Sequence, residues 1–220
     1  MQLGESELRE LIVEVGKRLW VRRFVAANDG NISVRLNEKE ILCTPRNVSK
    51  GFMTPDIIIK VDITGKVLSS LPSYEPSSEL KLHLAVYKER EDVNAVLHAH
   101  PPYSTSFAVA GIPLDKYVLP ETIIMLGSVP IAPYGTPSTD ELVASIKPFI
   151  KEYNAVLLAN HGAVTWGEDL MDAYFKMETL EHSAEIIFHS HQLGRMNVLP
   201  QEQVKKLFKL KEKYKRGPKR

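Results

Sequence analysis

The rhythm of apolar positions changes twice along this chain, from helical spacing to strand alternation and then to a mixture of both. Leu8, Leu11, Ile12, Val15 and Leu19 recur at helical spacing behind Ser6, a helix-capping residue type, and predict an amphipathic helix to about Phe24. Asn28-Asp29-Gly30-Asn31 is a turn signal. Ile32 to Leu36 and Glu40 to Thr44 follow across a polar turn and predict a hairpin. Ile57 to Val61, the Thr64-Gly65 turn and Lys66-Val67-Leu68 predict a second antiparallel pair, which Pro72 and Pro76 end.

Helices then alternate with strands. A helix is predicted from Ser77 with Leu80, Leu84 and Tyr87 on one side, followed by an apolar strand into His98-Ala99-His100 and a short helix from Tyr103 to Val109. Val129 to Ala132 predicts a strand. Ser138-Thr139-Asp140-Glu141 caps a helix to about Ile150, and Ala155 to Ala159 reads as a buried strand. A long helix runs from Leu170 to His191 through Leu170, Ala173, Met177, Leu180, Ala184 and Ile187. With no repeats and no linker, this order predicts an α/β fold of mixed αβα layers, in which helices cover a largely antiparallel central sheet.

Composition narrows the picture. A length of 220 residues, 44% hydrophobic, fits one well-filled core, so residues 1–220 read as a single domain with a basic tail from about 201. A net charge of +1 supplies no global field toward nucleic acid or an anionic membrane, so an anionic ligand must be held by local groups. Cys43 is the single cysteine and lies in an apolar run, which excludes an internal disulfide and reads as core in a reducing compartment. The N-terminus lacks the pattern of a signal peptide, and no apolar run reaches about eighteen residues, so the expected location is cytoplasmic.

The chemistry concentrates on histidine. Side chains at i and i+2 of a strand share a face, so His98 and His100 can share one ion. An isolated pair of this kind arises by chance, and a buried histidine is ordinarily just hydrogen-bonded. Here Ala95-Val96-Leu97 leads in, Pro101-Pro102 ends the strand, and Asn160 and Gly162 bracket His161 in a turn. With Glu79, three imidazoles and a carboxylate make a Zn²⁺-type donor set that leaves a position open for substrate. His182, His189 and Glu185 on the long helix lack further ligand spacing and read as an ordinary polar helix face.

Gly30-Asn31 at a turn and Ser77-Ser78 at a helix start present backbone N–H groups beside small side chains, an arrangement that grips phosphate. Turn formation and plain capping explain each of them separately. Glu79 follows the two serines directly, so a substrate held by its phosphate would present its reactive carbons to a carboxylate.

Five segments in order now carry a resemblance: Asp29 to Arg35, Pro76 to Glu79, His98 to Pro101, Val129 to Tyr134 and Leu158 to Gly162. Together they resemble the class II sugar-phosphate aldolase family, which includes fuculose-phosphate aldolases, ribulose-phosphate 4-epimerases and the head domain of adducin. The resemblance spans most of the chain and implies a class II aldolase-like fold. It implies Zn²⁺, one per subunit, on His98, His100 and His161, with Glu79 a further ligand at rest and the catalytic acid/base once substrate displaces it. It implies a phosphorylated ketose chelated through hydroxyl and carbonyl oxygens, cleaved to dihydroxyacetone phosphate and an aldehyde with no Schiff-base lysine. It also implies a homotetramer with active sites between subunits. Epimerases of the family usually carry Asp after the two serines, so Glu79 favours an aldolase.

Two features depart from the family pattern. After Cys43-Thr44-Pro45 the aldolases continue with Ser or Thr and then Gly, whereas Arg46-Asn47 stands here, so a guanidinium replaces a backbone contact to phosphate or faces solvent. The aldolase general acid is a tyrosine from a neighbouring subunit, and both Tyr117 and Glu121 lie in the corresponding stretch, with Tyr214 a tail candidate. The alternatives are an epimerase or dehydratase using Glu121, or a non-catalytic module like the adducin head. The four retained ligand positions argue against the latter, and the chain is too short for an amidohydrolase barrel.

Overall fold

The computed structural model describes residues 3–215, with side chains described through residue 212. Its first helix, α1 (Glu5–Val21), buries Leu8, Ile12, Val15 and Leu19, the stripe expected from spacing. The helix starts one residue before Ser6, so Gly4 is the cap: its N–H donates to Glu7 Oε2 at 2.7 Å. It ends at Val21, three residues before Phe24, where the Phe24 N–H turns back to Leu19 O at 2.8 Å.

Strands β1 (Asn31–Arg35) and β2 (Glu40–Cys43) form the expected hairpin. The second pair is shorter than its apolar run: Pro55–Ile57 takes a 3₁₀ turn, and only β3 (Ile59–Asp62) and β4 (Val67–Ser69) pair. Helix α2 (Leu80–Glu89) begins after Ser77-Ser78, leaving both serines in the approach with Glu79 at the cap position. Strand β5 (Ala95–Ala99) carries His98, and α3 (Pro102–Ala110) starts on the second of the two prolines, with Pro101 at its cap. Next come α4 (Pro120–Met125), β6 (Ile131–Ala132) and α5 (Asp140–Ile146), the last capped by Thr139 Oγ1 on the Glu141 N–H. Strands β7 (Ala155–Leu158) and β8 (Gly162–Gly167) precede α6 (Leu170–Gln192) and α7 (Gln201–Lys215).

All eight strands join one sheet in the order β4-β3-β2-β1-β5-β8-β7-β6, antiparallel except for the β6 and β7 pair. Side chains alternate between two cores. On β5, Ala95, Leu97 and Ala99 face α1, α3 and α6, whereas Val96 joins Ile41, Val156, Val164 and Trp166 against α2 and α5. Because both faces are covered, β5, β7 and β8 are buried at every position. This is the mixed αβα arrangement expected, and each buried Leu, Ile or Val contributes about 1.5–3 kcal/mol. The sheet's outer strands are its two shortest, β4 with three residues and β6 with two, which limits exposed pairing edges.

The C-terminal segment is more than a solvated helix. Helix α7 packs on α4, burying Val204 and setting the Tyr117 ring edge-on to Phe208 at 5.7 Å between centroids. The Tyr214 side chain and residues 216–220 lie outside the described residues.

Candidate metal centre

Strand register brings the histidines together. In the ladder His98 pairs with Asn31 of β1 and Val164 of β8, so its ring shares the α2 face with Asn31. His100 continues the alternation just past β5, its N–H donating to Phe24 O at 2.8 Å. His161 sits in the tight connection from β7 to β8, where Asn160 adopts φ 57° and the His161 N–H donates to Leu158 O. Gly162 is required beside it: a Cβ there would lie 2.6 Å from both Ala99 O and His100 Cδ2.

The three rings stand 4.7–5.0 Å apart between centroids, and one nitrogen from each lies within 4.8 Å of the others. His98 Nδ1 is 2.9 Å from Ala163 O, and because a carbonyl only accepts, that nitrogen carries the proton. Its Nε2 is therefore an acceptor, and it faces His100 Nε2 at 3.0 Å. Glu79 reaches in from the start of α2, with Oε2 3.3 Å from His98 Nε2 and Oε1 3.4 Å from His161 Nε2. Asn31 Nδ2 donates to Glu79 Oε2 at 3.0 Å.

Burial holds His98 well below the usual imidazole range, helped by His100 and His161. It lowers His161 too, with the Glu79 carboxylate opposing the fall. Neutral imidazoles with lone pairs turned inward are the form that binds divalent metal. Glu79 Oε1, His161 Nδ1 and Asn31 Oδ1 are buried without a hydrogen-bond partner in the protein. These orphans and the convergent acceptors fit a cation bound among His98, His100, His161 and Glu79. Behind them a fully buried group packs against the sheet: His83 Nδ1 lies 2.7 Å from Ser33 Oγ, which lies 2.8 Å from Tyr87 OH. Burial drives His83 down to about 3.

The other sequence candidates fall into two sets. Gly30, Asn47 and Ser77 stand on loops tied to one another: Asn28 Nδ2 bonds Asn47 Oδ1, Ser77 N bonds Thr44 O, and Arg46 N bonds Glu75 O. Gly30, at φ 73°, lies against His98 O, which a Cβ would approach to 2.8 Å. Ser77 Oγ accepts the Glu79 N–H at 3.3 Å, and Ser78 stands between them. Arg46 is exposed and ion-paired to Glu75 at 2.6 Å. Tyr117 and Glu121 stand apart from this cluster, Tyr117 against α7 and Glu121 exposed on the first turn of α4. Among the described residues, His98, His100 and His161 have the geometry to hold a metal ion together, and His182, His189 and His191 do not.

Sequence reasoning missed Asp29 as a neighbour of His100, the side-chain bond from Asn31 to Glu79, and the group around His83. Spacing along α2 put His83 one turn after Glu79, a signal that was present; the other two follow from pairing between distant loops.

A model of the Class II Aldolase and Adducin N-terminal domain family matches residues 10–188. The chain belongs to that family. An L-fuculose phosphate aldolase of Methanococcus maripaludis is 32% identical over 82% of this chain and 96% of its own. A 3-oxo-tetronate 4-phosphate decarboxylase of Escherichia coli is equally 32% identical, over 84% of this chain and 87% of its own. The solved structure of an L-fuculose 1-phosphate aldolase superposes with a TM-score of 0.85 at 30% identity, covering 96% of this chain and 97% of that one. Class II relatives of this chain are thus enzymes acting on phosphorylated sugars and sugar acids. No helix among the described residues is long and apolar enough to cross a membrane.

Proposed function

We propose that residues 1–220 form one catalytic domain, a cytoplasmic Zn²⁺-dependent aldolase. It reversibly cleaves a ketose 1-phosphate of the L-fuculose 1-phosphate type to dihydroxyacetone phosphate and an aldehyde. The observation that carries this reading is the Glu79 carboxylate, 3.3 Å from His98 and 3.4 Å from His161, immediately after Ser77-Ser78. A divalent cation held by His98, His100 and His161 supplies a Lewis acid for charge developing on the sugar's oxygens.

Breaking the C–C bond leaves an electron pair on the carbon beside the ketone, and that carbon takes up a proton. Glu79 supplies that proton in cleavage and removes it in condensation. Its Oε2 is held by Asn31, while Oε1 has no hydrogen-bond partner and is free to exchange one. The loops of Gly30, Asn31, Arg46, Asn47, Ser77 and Ser78 hold the phosphate, which fixes the distance from that group to the reacting carbon. Tyr117 or Glu121 handles the proton on the aldehyde oxygen. Since neither touches the histidines within one chain, that role belongs to a neighbouring subunit of a homotetramer with interfacial sites.

A second reading rests on the decarboxylase relative at the same 32% identity. Loss of CO₂ from a 3-oxo acid phosphate leaves the electron pair on the same kind of carbon, so the same residues serve both reactions. Coupled detection of dihydroxyacetone phosphate, with fuculose, rhamnulose and ribulose 1-phosphates and a 3-oxo-tetronate 4-phosphate as substrates, separates them. Aldehyde release that chelator abolishes supports the aldolase, and CO₂ release instead moves the assignment to the decarboxylase. Metal-bound protein that releases neither refutes both and leaves an epimerase or dehydratase.

A further inference from the structure

Asp29 and Lys50 are charged groups beside the histidine cluster that the proposed reaction does not use. Asp29 Oδ2 lies 3.4 Å from His100 Nδ1, while the other ring nitrogen of His100 faces His98 Nε2 at 3.0 Å. The first separation is a few tenths of an ångström beyond an ordinary N–H···O bond, a gap that a small rotation of the half-exposed Asp29 side chain closes. The turn bearing Asp29 is firmly held. Its own N–H donates to Ala26 O at 2.8 Å, and Ala27 and Gly30 take left-handed φ values of 45° and 73° on either side.

Beneath the turn is Lys50, 1% exposed, whose ammonium donates to Asn28 O at 3.2 Å and to Val48 O. Burial lowers Lys50 to about 8, and the Asp29 carboxylate opposes the fall. A charge this deeply buried is strongly destabilising unless its neighbours compensate, and the neighbours here are the carbonyls of Asn28 and Val48 and the Asp29 carboxylate. Lys50 therefore couples the position of that turn to the packing of the α1 core.

We infer that Asp29 is an outer-sphere carboxylate of the metal centre: it accepts the His100 Nδ1 proton and so keeps the Nε2 lone pair directed at the ion, while Lys50 fixes the turn that presents it. Asp29 is a positioning residue, acting through His100 as carboxylates behind metal-bound imidazoles do. The inference rests on the reading of the three histidines as a metal site, and the test separates failure of one from failure of the other.

The test titrates metal-stripped full-length protein with Zn²⁺ against a competing chelator, and with Co²⁺ while recording its visible absorption. Asp29→Ala is expected to weaken binding by about tenfold to a hundredfold and to shift the Co²⁺ bands. Because Asp29 also faces the buried Lys50, the variant's metal-free melting temperature is expected to fall somewhat, but a loss of stability alone leaves the Co²⁺ bands where they are. Asp29→Asn keeps an acceptor for the same bond without the charge and is expected to lose less affinity. Binding of both ions by Asp29→Ala within about twofold of wild type, with an unchanged Co²⁺ spectrum, overturns the inference and leaves the metal site standing. Wild-type binding no tighter than that of His98→Ala overturns the metal site and the inference together.

Discussion

Around the end of β5, four side chains from three separate segments converge on a space a few ångströms wide, with His98 Nδ1 held by Ala163 O and Glu79 Oε2 by Asn31. At the α4 and α7 corner, Tyr117 rests against Phe208 and Glu121 points to solvent. Both regions carry residues proposed for one reaction, yet only the first is assembled within a single chain. The histidine half is built by sheet register, whereas in the proposed reaction the proton-donating half comes from a neighbouring subunit.

The sharpest way to break that contrast is to remove groups from each corner. His98→Ala is expected to abolish metal binding and activity together, read by elemental analysis and the dihydroxyacetone phosphate assay. Glu79→Gln is expected to keep the metal and lose about 10²–10⁴ in kcat, the range for a general acid/base. Glu121→Gln and Tyr117→Phe chains keep an intact histidine corner. If the sites lie between subunits, mixing either inactive variant with Glu79→Gln chains restores part of the activity. Failure of every mixture to recover would place the general acid elsewhere.

The two corners were also unequally legible. Alternation in a strand put His98 and His100 on one face, and the apolar run into His161 marked a strand end, so the histidine corner could be assembled from local rules. Strand β8 was not anticipated, because its six residues begin and end with glycine and follow a turn signal that reads as a stop. Its absence hid the ladder that pairs Val164 with His98 and places Ala163 O on His98 Nδ1. The Ser6 cap failed because Glu7 reaches back to Gly4 instead. Asp29 was read as part of a turn and of the first family segment, not as a neighbour of His100, since nothing in spacing says that the turn folds over a strand end about seventy positions later. Helix α4, six residues that begin with a proline, is too short for periodicity to reveal.

Gly162→Ala probes how tightly the first corner is closed. Its new methyl meets backbone at Ala99 and the His100 ring, so about 1–3 kcal/mol of stability is expected to be lost. A His100 ring that shifts to relieve the contact moves relative to His98 and His161. Weaker Zn²⁺ binding should accompany the lower melting temperature, and a drop in melting temperature with unchanged Zn²⁺ affinity would show that backbone, not the ring, absorbs the strain.

Acid should loosen the same corner through His83. Its folded-state value of about 3 lies below the ordinary 6.5, so the unfolded chain binds the extra proton first. Stability from the neutral ring is complete above about 6.5 and falls as pH drops below it, with a limiting slope of about 1.4 kcal/mol per pH unit. Urea melts of metal-free protein between pH 7 and 5, wild type against His83→Gln, check this. The variant should lose part of the slope, and equal slopes would assign the pH dependence to His98 and His161 alone.

The smallest effect belongs to Arg46, which stands at the rim of the loops proposed to hold phosphate, with its guanidinium on Glu75. Both side chains are more than half exposed, so the pair contributes at most about 1 kcal/mol and Arg46→Ala should leave the melting temperature nearly unchanged. Substrate binding is where the guanidinium tells. If Arg46 leaves Glu75 for a phosphate, removing it raises KM for the phosphorylated sugar several-fold while kcat holds, because the contact is the same in ground and transition states. Glu75→Ala then moves KM the opposite way, since it frees the guanidinium from its competitor. Unchanged KM in both variants would return Arg46 to the solvent-facing role that its exposure alone describes, and leave phosphate recognition to the backbone of the Gly30 and Ser77-Ser78 loops.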